Sequence, residues 1–154
     1  MIDHQYDCEL IWTGEKRGRL DAAGLPPLEV ATPPEFDGHA GIWTPEHLFV
    51  AAASACHLTT FLALAARARL ALAGYRSRAR GHLTRREDGK LAIVRIDLTP
   101  EIAITRADDE AQARDLCAKA GKHCLISNSM AAAVEIEPTV VVKVVVKERA
   151  PSAR

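Results

Sequence analysis

The feature that most constrains the fold of this chain is an uncharged, apolar run over residues 48–66. Its 19 residues include no Lys, Arg, Asp or Glu, and the run reaches the length of a marginal membrane span. A serine, a histidine and two threonines interrupt it, and neither a charge bias of the loops nor an aromatic belt flanks it. We therefore predict a helix that is buried centrally in a soluble protein, with no membrane partner.

Signals for the start of this helix directly precede the run. Thr44 is a favoured N-cap, Pro45 suits the first helical position, and the carboxylate of Glu46 faces the positive end of the helix dipole. The pattern extends to about residue 73, where Gly74 would stop it, although a helix of this length can also kink or end earlier. Because the helix is apolar nearly all round, it needs cover on every side, which points to a dimer.

The composition excludes several classes of protein. The 154 residues carry 20 Lys and Arg against 20 Asp and Glu, so the formal net charge is zero. A nucleic-acid or anionic-membrane partner would call for a positive excess. The 48% hydrophobic and 26% charged residues are typical of one ordered domain, here residues 1–154. The N-terminus has no basic segment followed by an apolar run, so we expect a cytoplasmic protein with reduced thiols.

Short strands and turns precede and follow the long helix. Alternating apolar side chains predict strands, Asp88-Gly89 predicts a tight hairpin, and Pro100 suggests an edge strand or a bulge. The order β-β-β-α-β-β-α-(α)-β, with hairpins rather than βαβ units, predicts an α+β fold with antiparallel pairing. The predicted strands cover residues 6–12, 19–22, 28–32, 75–86, 91–104 and 140–146, and the further helices cover residues 108–123 and 125–133.

Three arginines, Arg76, Arg78 and Arg80, fall on one face of the fourth predicted strand. Such a row occurs both in phosphate sites and on solvated sheet faces. We favour the solvated face.

The chain contains four cysteines, Cys8, Cys56, Cys117 and Cys124, and no CxxC motif. That number is too small for a disulfide scaffold of this length. Cys8 and Cys117 fit apolar faces and are predicted to be core residues. Cys117 and Cys124 lie about 10 Å apart along the second predicted helix, whereas the Cα atoms of a disulfide lie within about 7 Å. These two residues therefore do not pair unless the helix unwinds.

The two remaining cysteines, Cys56 and Cys124, differ in their sequence surroundings. Cys56 lies in mid-helix among small residues, as a buried hydrophobe often does, whereas Cys124 lies at a helix end, where function is more common. The adjacent His57 and His123 could stabilise a thiolate or ligate zinc. Neighbouring residues of a helix point about 100° apart, so a Cys-His dipeptide rarely chelates one ion. We predict no metal site.

Three segments, taken together and in order, resemble the OsmC/Ohr superfamily of osmotically inducible protein C and organic hydroperoxide resistance proteins. Residues 44–49 and 52–56, TPEHLF and AASAC, are similar to the N-P-E-x-L…A-A-x-x-A-C segment of that family. Residues 118–129, AKAGKHCLISNS, are similar to the stretch that carries its second cysteine, and residues 12–18, WTGEKRG, to the W-x-G…K-R-G turn of the OsmC branch. The predicted element order matches along essentially the whole chain.

The resemblance implies an OsmC-like fold in an intertwined homodimer with two active sites at the subunit interface. It also implies a Cys-based, cofactor-free peroxidase that reduces organic hydroperoxides in oxidative stress defence. Cys56 would be the peroxidatic cysteine, Cys124 the resolving cysteine, Glu46 the active-site carboxylate and Arg17 the active-site arginine. An external thiol, such as a dihydrolipoyl protein, would then reduce the disulfide.

Some assignments in this site have alternatives. Lys16 and Arg19 are alternatives to Arg17 as the cation. His57 stands where family members commonly have an aromatic residue, and Leu125 where many have proline, which sets the pocket and the thiol pKa apart from those of a typical Ohr. The alternative function is a non-catalytic OsmC-like dimer that binds small molecules or senses redox state.

The spacing of Glu46 and Cys56 carries a prediction about assembly. These residues are ten apart on one predicted helix, which is about 15 Å along its axis. A straight helix cannot bring both side chains to one substrate atom. We therefore expect Glu46, and Arg17 with it, to serve the partner subunit's Cys56.

Overall fold

The structure, a computed structural model, describes residues 3–143 of the chain. The chain divides after Phe49 into two compact units. Each unit has its own sheet, and the long helix α1 (Pro45–Arg67) begins in the first unit and continues in the second.

The first unit is a three-stranded antiparallel sheet of β1 (Glu9–Gly14), β2 (Arg17–Asp21) and β3 (Leu28–Ala31), in that order. The three strands were predicted at these places, with bounds that differ by a few residues. Gly14 and Glu15 both have positive φ, 120° and 49°, so the turn between β1 and β2 uses the freedom of glycine beside one strained residue. This turn presents Lys16 and Arg17 at the start of β2.

The sheet of the first unit buries few of its apolar side chains. Tyr6 is 93% exposed and Trp12 is 75% exposed, and Leu10 and Leu25 are also open to solvent. The prediction that Cys8 is a core residue is wrong, because this residue lies before β1 and is exposed. A small sheet without cover on its apolar side chains is not stable on its own.

Helix α1 begins as the sequence predicts and ends earlier. The Thr44 hydroxyl accepts a hydrogen bond of 3.3 Å from the amide of His47, which is the geometry of an N-cap. The helix ends at Arg67 rather than near residue 73, because Arg69 adopts a left-handed conformation with φ 53°. The amide of Leu70 then bonds back to the Ala65 carbonyl at 3.0 Å, and the Leu70 side chain turns into the core.

The apolar character of α1 meets the length and composition criteria for a membrane span, and it is the one helix that does so within residues 3–143. The core helix of a soluble protein satisfies the same criteria, so the observation is weak evidence for a membrane.

The second unit holds a four-stranded sheet around the long central strand β5 (Leu91–Ile104). β4 (Leu72–Arg85) pairs with β5 as a hairpin, and Gly89, with φ 80°, closes the predicted turn. β6 (Ala133–Ile136) and β7 (Thr139–Val142) both pair with β5 in parallel. The expected antiparallel pairing is confirmed for β1–β2, β2–β3 and β4–β5. It is wrong for the strands after β5, because the helices that follow β5 carry the chain back so that β6 and β7 run parallel to β5.

These helices are α2 (Glu110–His123), which a short 3-10 turn precedes, and α3 (Leu125–Asn128). α2 matches the prediction. The helix predicted over residues 125–133 ends at Asn128, and the strand β6 that follows was not predicted. Of the last predicted strand, residues 140–142 lie in β7, and residues 144–146 lie outside the described residues.

Pro100 lies in the central strand β5, so the expectation of an edge strand or a bulge at this residue is wrong. It is tolerated because β6 pairs with residues 95–98 and β7 with residues 101–104, which leaves the position of Pro100 without a parallel partner.

The core of the second unit lies between its sheet and helices. Phe61 of α1, Ile102 of β5 and Cys117 of α2 are fully buried in one cluster, and the buried Ala53 of α1 packs with Ile96 and other residues in a second cluster. The burial of Cys117 confirms its predicted place in the core. The core fixes the positions of α1 and α2, which carry Cys56 and lead to Cys124.

The opposite face of the β4–β5 hairpin is charged. Arg76 pairs with Glu101 at 2.8 Å, and Asp97 pairs with His82 at 2.6 Å. Arg78 and Arg80 are exposed beside them. The arginine row is thus part of a solvated face that carries both signs of charge.

Candidate active site

Two cysteines of the second unit meet in one site. Cys56 lies in α1 between Ala53 and His57, which are both fully buried, and is itself half-buried. Cys124 follows the last residue of α2 and is fully buried. The Cys56 and Cys124 side chains lie close enough for each thiol to shift the pKa of the other. Residues 68 apart in sequence therefore belong to one site.

The position of Cys124 depends on a break between α2 and α3. Its backbone is extended, with φ −68° and ψ 107°, so the helix stops and a new one starts at Leu125. The Cys124 Sγ atom then accepts hydrogen bonds from the Ser127 amide at 3.5 Å and from the Ser127 hydroxyl at 3.1 Å. The cysteine caps α3 in the way that a serine or an aspartate caps other helices.

The surroundings of the two thiols shift their pKa values in opposite directions. Burial raises the pKa of Cys56, and the hydrogen bond to Cys124 raises it further, against smaller opposing contributions from the Ile126 amide and Thr60. None of these groups is cationic. Burial also raises the pKa of Cys124, but hydrogen bonds from Cys56, Ser127 and the Ile126 amide outweigh it and bring that pKa below the ordinary value.

Cys117, the third cysteine of the second unit, is predicted to be unreactive. Burial raises the pKa of Cys117 to about 11, so this thiol stays protonated at neutral pH. A protonated, buried thiol is a poor nucleophile.

His57 does not face the cysteine beside it. Its Nε2 lies 3.2 Å from the Cys117 carbonyl oxygen, which can only accept, so we assign the proton to Nε2. Its Nδ1 then accepts from the Tyr75 hydroxyl at 2.9 Å. His57 therefore ties α1 to α2 and β4 as a neutral, fully buried side chain. Burial lowers its pKa, and the bond to Cys117 opposes this only in part.

This burial predicts an acid-sensitive contribution to stability. Below a pH of about 6.5 the unfolded chain protonates His57, while the folded chain resists because its pKa is lower. The stabilisation is thus complete above that pH and is lost as the pH falls towards the folded pKa. In urea unfolding at about pH 7.5 and about pH 5, His57→Gln should reduce the pH dependence of the free energy of unfolding.

The matched control for this measurement is His123→Gln, because His123 is exposed at the end of α2. This variant should keep the pH dependence of the wild type. An equal pH dependence in His57→Gln and the wild type would contradict the buried, neutral histidine.

The remaining predicted site residues belong to the first unit. Within the described part of the chain, Glu46 Oε2 is buried without a hydrogen-bond partner. Arg17 forms an ion pair with Glu15 at 3.5 Å, and none with Glu46. Lys16 donates to the carbonyl of Phe36 at 3.2 Å and to that of Asp37 at 2.7 Å. Buried carboxylate oxygens are normally paired, so the free oxygen of Glu46 calls for a donor.

Comparison with known protein families gives a match that includes most of the candidate site residues. The family model described as OsmC-like protein matches residues 38–139, which include Glu46, Cys56 and Cys124. The chain belongs to the OsmC-like protein family. This confirms the resemblance seen in the sequence.

Individual OsmC-like relatives agree along the chain. The uncharacterized protein YmaD of Bacillus subtilis (strain 168) is 26% identical over 142 residues, which are 89% of this chain and 93% of YmaD. An OsmC-like protein of unknown function from Vibrio cholerae has a TM-score of 0.83 at 21% identity, with 89% of this chain and 100% of that chain covered. An organic hydroperoxide resistance protein from Elizabethkingia anophelis has a TM-score of 0.70 at 23% identity, with 92% and 100% covered. These likenesses confirm the α+β, OsmC-like fold.

Two residues of this OsmC-like site were not found from the sequence. Ser127 contacts the Cys124 sulfur, and Tyr75 contacts His57. The signal for Ser127 was its position three residues after Cys124, the spacing of a capping contact. Tyr75 lies on another element, and local sequence carries no sign of its contact. Among residues 3–143, no group of three or more His, Cys, Asp or Glu is arranged to hold a metal ion.

Proposed function

We propose that the protein is a thiol-dependent peroxidase that reduces organic hydroperoxides with Cys56 and Cys124. The proximity of these two thiols, each of which shifts the pKa of the other, in an OsmC-like fold is the observation that carries the proposal. The name of the Elizabethkingia relative, an organic hydroperoxide resistance protein, supports this substrate class.

The reaction uses the two thiols in sequence. The Cys56 thiolate attacks the O–O bond, takes one oxygen as sulfenic acid, and releases the other as an alcohol after it gains a proton. The Cys124 sulfur then attacks the Cys56 sulfur, and a disulfide forms as water leaves. Because Cys124 lies near Cys56 and has a lowered pKa, this second step has a nearby nucleophile.

The first step needs a cation, and the described groups that shift the pKa of Cys56, which are Cys124, Ile126 and Thr60, do not include one. The pKa of Cys56 is raised by burial, so a guanidinium is needed to favour its thiolate and to polarise the peroxide. Glu46 has a buried oxygen that is ready to hold such a group. α1 is continuous from Pro45 to Arg67, so Glu46 stays about 15 Å along the axis from Cys56. We assign Glu46 to the partner subunit's Cys56.

Arg17 is the best candidate for this cation. Lys16 is held by the carbonyls of Phe36 and Asp37, and Arg19 by Asp21 at 2.9 Å. Arg17 has one long contact of 3.5 Å, with the exposed Glu15. An exposed ion pair contributes little free energy, so Arg17 can turn to another carboxylate at a small energetic cost.

Exposed apolar side chains on both units support the proposal of a homodimer. The first unit exposes Tyr6, Leu10 and Trp12. In the second, one side of α1 is exposed at a helical spacing, at Ala55, Thr59, Leu62, Ala63 and Ala66. Contiguous apolar surface on a folded chain marks an interface, and a second copy of a helix with small residues fits such a stripe. Burial of this helix between two subunits is also consistent with a soluble, cytoplasmic protein.

Turnover with a small dithiol tests the proposed activity. The wild-type protein should consume tert-butyl hydroperoxide in the presence of dihydrolipoamide. The measurement follows loss of peroxide over time. Consumption no faster than with dihydrolipoamide alone would contradict the proposal.

A further inference from the structure

We propose that Ser127 fixes the direction of thiol–disulfide exchange at this site, so that an external thiol attacks the Cys56 sulfur and Cys124 leaves as a thiolate that Ser127 holds. The inference rests on the Cys56–Cys124 disulfide of the proposed function. It concerns how the disulfide is reduced, and which residue makes that step directional.

The first observation is access to the two sulfurs. Cys124 is fully buried, whereas Cys56 is half-buried. A cleft of about 400 Å³ opens between α2, α3 and β6, and its lining includes Ser127 but neither cysteine, so it gives no direct path to Cys124 and the difference in access rests on the partial exposure of Cys56. An external thiol must approach one sulfur in line with the S–S bond. Cys56 is the sulfur that offers such an approach.

The second observation is the set of donors around the leaving group. The Ser127 hydroxyl lies 3.1 Å from Cys124 Sγ and the Ser127 amide lies 3.5 Å from it, both with the sulfur as acceptor. Hydrogen bonds to a charged acceptor are stronger than those to a neutral one, so they gain strength as negative charge develops on Cys124. A thiol of lower pKa is the better leaving group in exchange. Cys124 has the lowered pKa of the two.

The electrons and protons of the step balance. A thiolate of the external dithiol forms a bond to Cys56 Sγ, the Cys56–Cys124 bond breaks, and its electron pair stays on Cys124 Sγ. The second thiol of the reductant then attacks the reductant sulfur that is bound to Cys56 and releases the Cys56 sulfur, which takes up the proton of that second thiol. The dithiol is oxidised to its disulfide, and the protein returns to its reduced, dithiol state.

The test of direction locates the mixed disulfide. The full chain carrying Cys8→Ser, which removes the exposed cysteine, is oxidised with diamide, treated briefly with glutathione and quenched in acid. Trypsin places Cys56 on residues 20–67, Cys117 on residues 115–119 and Cys124 on residues 123–143. Glutathione should be found on the Cys56 peptide. Its presence on the Cys124 peptide would overturn the proposal.

The test of Ser127 compares rates of reduction of the diamide-formed disulfide by dithiothreitol. Ser127→Ala should slow reduction roughly three- to tenfold, because the leaving thiolate loses one hydrogen bond. Ser127→Thr keeps the hydroxyl and should restore the rate. Ser129→Ala is the matched control, since the Ser129 hydroxyl donates to the Leu125 carbonyl at 2.8 Å. Equal rates for Ser127→Ala and Ser129→Ala would overturn the role of Ser127. Ser127→Gly is the second variant if Ser127→Ala does not fold.

The outcomes separate this inference from the proposed function. Diamide replaces peroxide, so directional exchange in a protein that consumes no peroxide would remove the peroxidase and leave the inference standing. A peroxidase whose glutathione adduct forms on Cys124 would remove only the inference. Failure of diamide to form the Cys56–Cys124 disulfide would contradict both.

Discussion

Cys56→Ser should abolish the reduction of tert-butyl hydroperoxide, with a fall in kcat/KM of at least about a thousandfold. The reason is that a serine hydroxyl is far less acidic than a thiol and gives no appreciable anion at neutral pH. Cys56 does not belong to the core cluster around Phe61, so the substitution should change the thermal midpoint little. Peroxide consumption with dihydrolipoamide measures the effect.

Cys124→Ser and Cys117→Ser provide the comparison for this variant. Cys124→Ser should reduce one equivalent of peroxide and then stop with a trapped sulfenic acid on Cys56, which a dimedone adduct would reveal by mass spectrometry. Cys117→Ser should keep the wild-type turnover number, because burial raises the pKa of the Cys117 thiol to about 11 and keeps it protonated at neutral pH. Turnover by Cys56→Ser at a rate near that of the wild type would exclude Cys56 as the peroxidatic residue.

Heterodimers should restore activity that two inactive variants lack. Cys56→Ser has no nucleophile, and Glu46→Ala has no carboxylate to hold the cation, so each homodimer should be inactive or nearly so. If Glu46 serves the partner subunit's Cys56, a mixed dimer contains one intact site and one doubly defective site. A purified heterodimer should then reach about half of the wild-type activity per dimer.

The matched control is a heterodimer of Cys56→Ser with an Arg114→Ala chain, whose substitution breaks an exposed pair with Glu110 on α2. It should also reach about half of the wild-type activity, which shows that tagging and mixing do no harm. An inactive Cys56→Ser/Glu46→Ala heterodimer beside an active control would contradict the assignment of Glu46 to the partner.

The sequence was most informative where one local signal decides a boundary. β5 was predicted at residues 91–104 with both bounds correct, because the Asp88-Gly89 turn fixes the register of the hairpin. The end of α1 was missed because burial of Leu70 forces Arg69, not a glycine, into the left-handed region. β6 has only four residues and forms through pairing with β5, a long-range contact that local pattern does not reveal.

The sequence likewise predicted some residues of the candidate site and missed others. The resemblance selected Cys56 and Cys124 from four cysteines, and in the structure these two thiols lie close enough to shift the pKa of each other. Ser127 and Tyr75 could not be selected, because their importance depends on which side chains the fold places beside them. His57 was considered as a neighbour of the reactive thiol, but the helix turns it towards Tyr75 and Cys117. Adjacency in sequence is not adjacency on a helix, since successive side chains point about 100° apart.

The alternative, an OsmC-like dimer that binds small molecules or senses redox state without turnover, makes a different prediction from the peroxidase. Such a dimer needs no rapid reaction of Cys56, and its disulfide would form slowly or only with strong oxidants. The raised pKa of Cys56 within the chain favours that outcome unless a cation reaches the site, so the rate with peroxide distinguishes the two functions.

A count of free thiols before and after one equivalent of tert-butyl hydroperoxide tests the central claim most directly. The chain has four cysteines, and the denatured, reduced protein should show all four as free thiols. After addition of peroxide, the proposed mechanism predicts rapid loss of two free thiols, those of Cys56 and Cys124, while the thiols of Cys8 and Cys117 stay free. Four free thiols after hours at micromolar peroxide would contradict it.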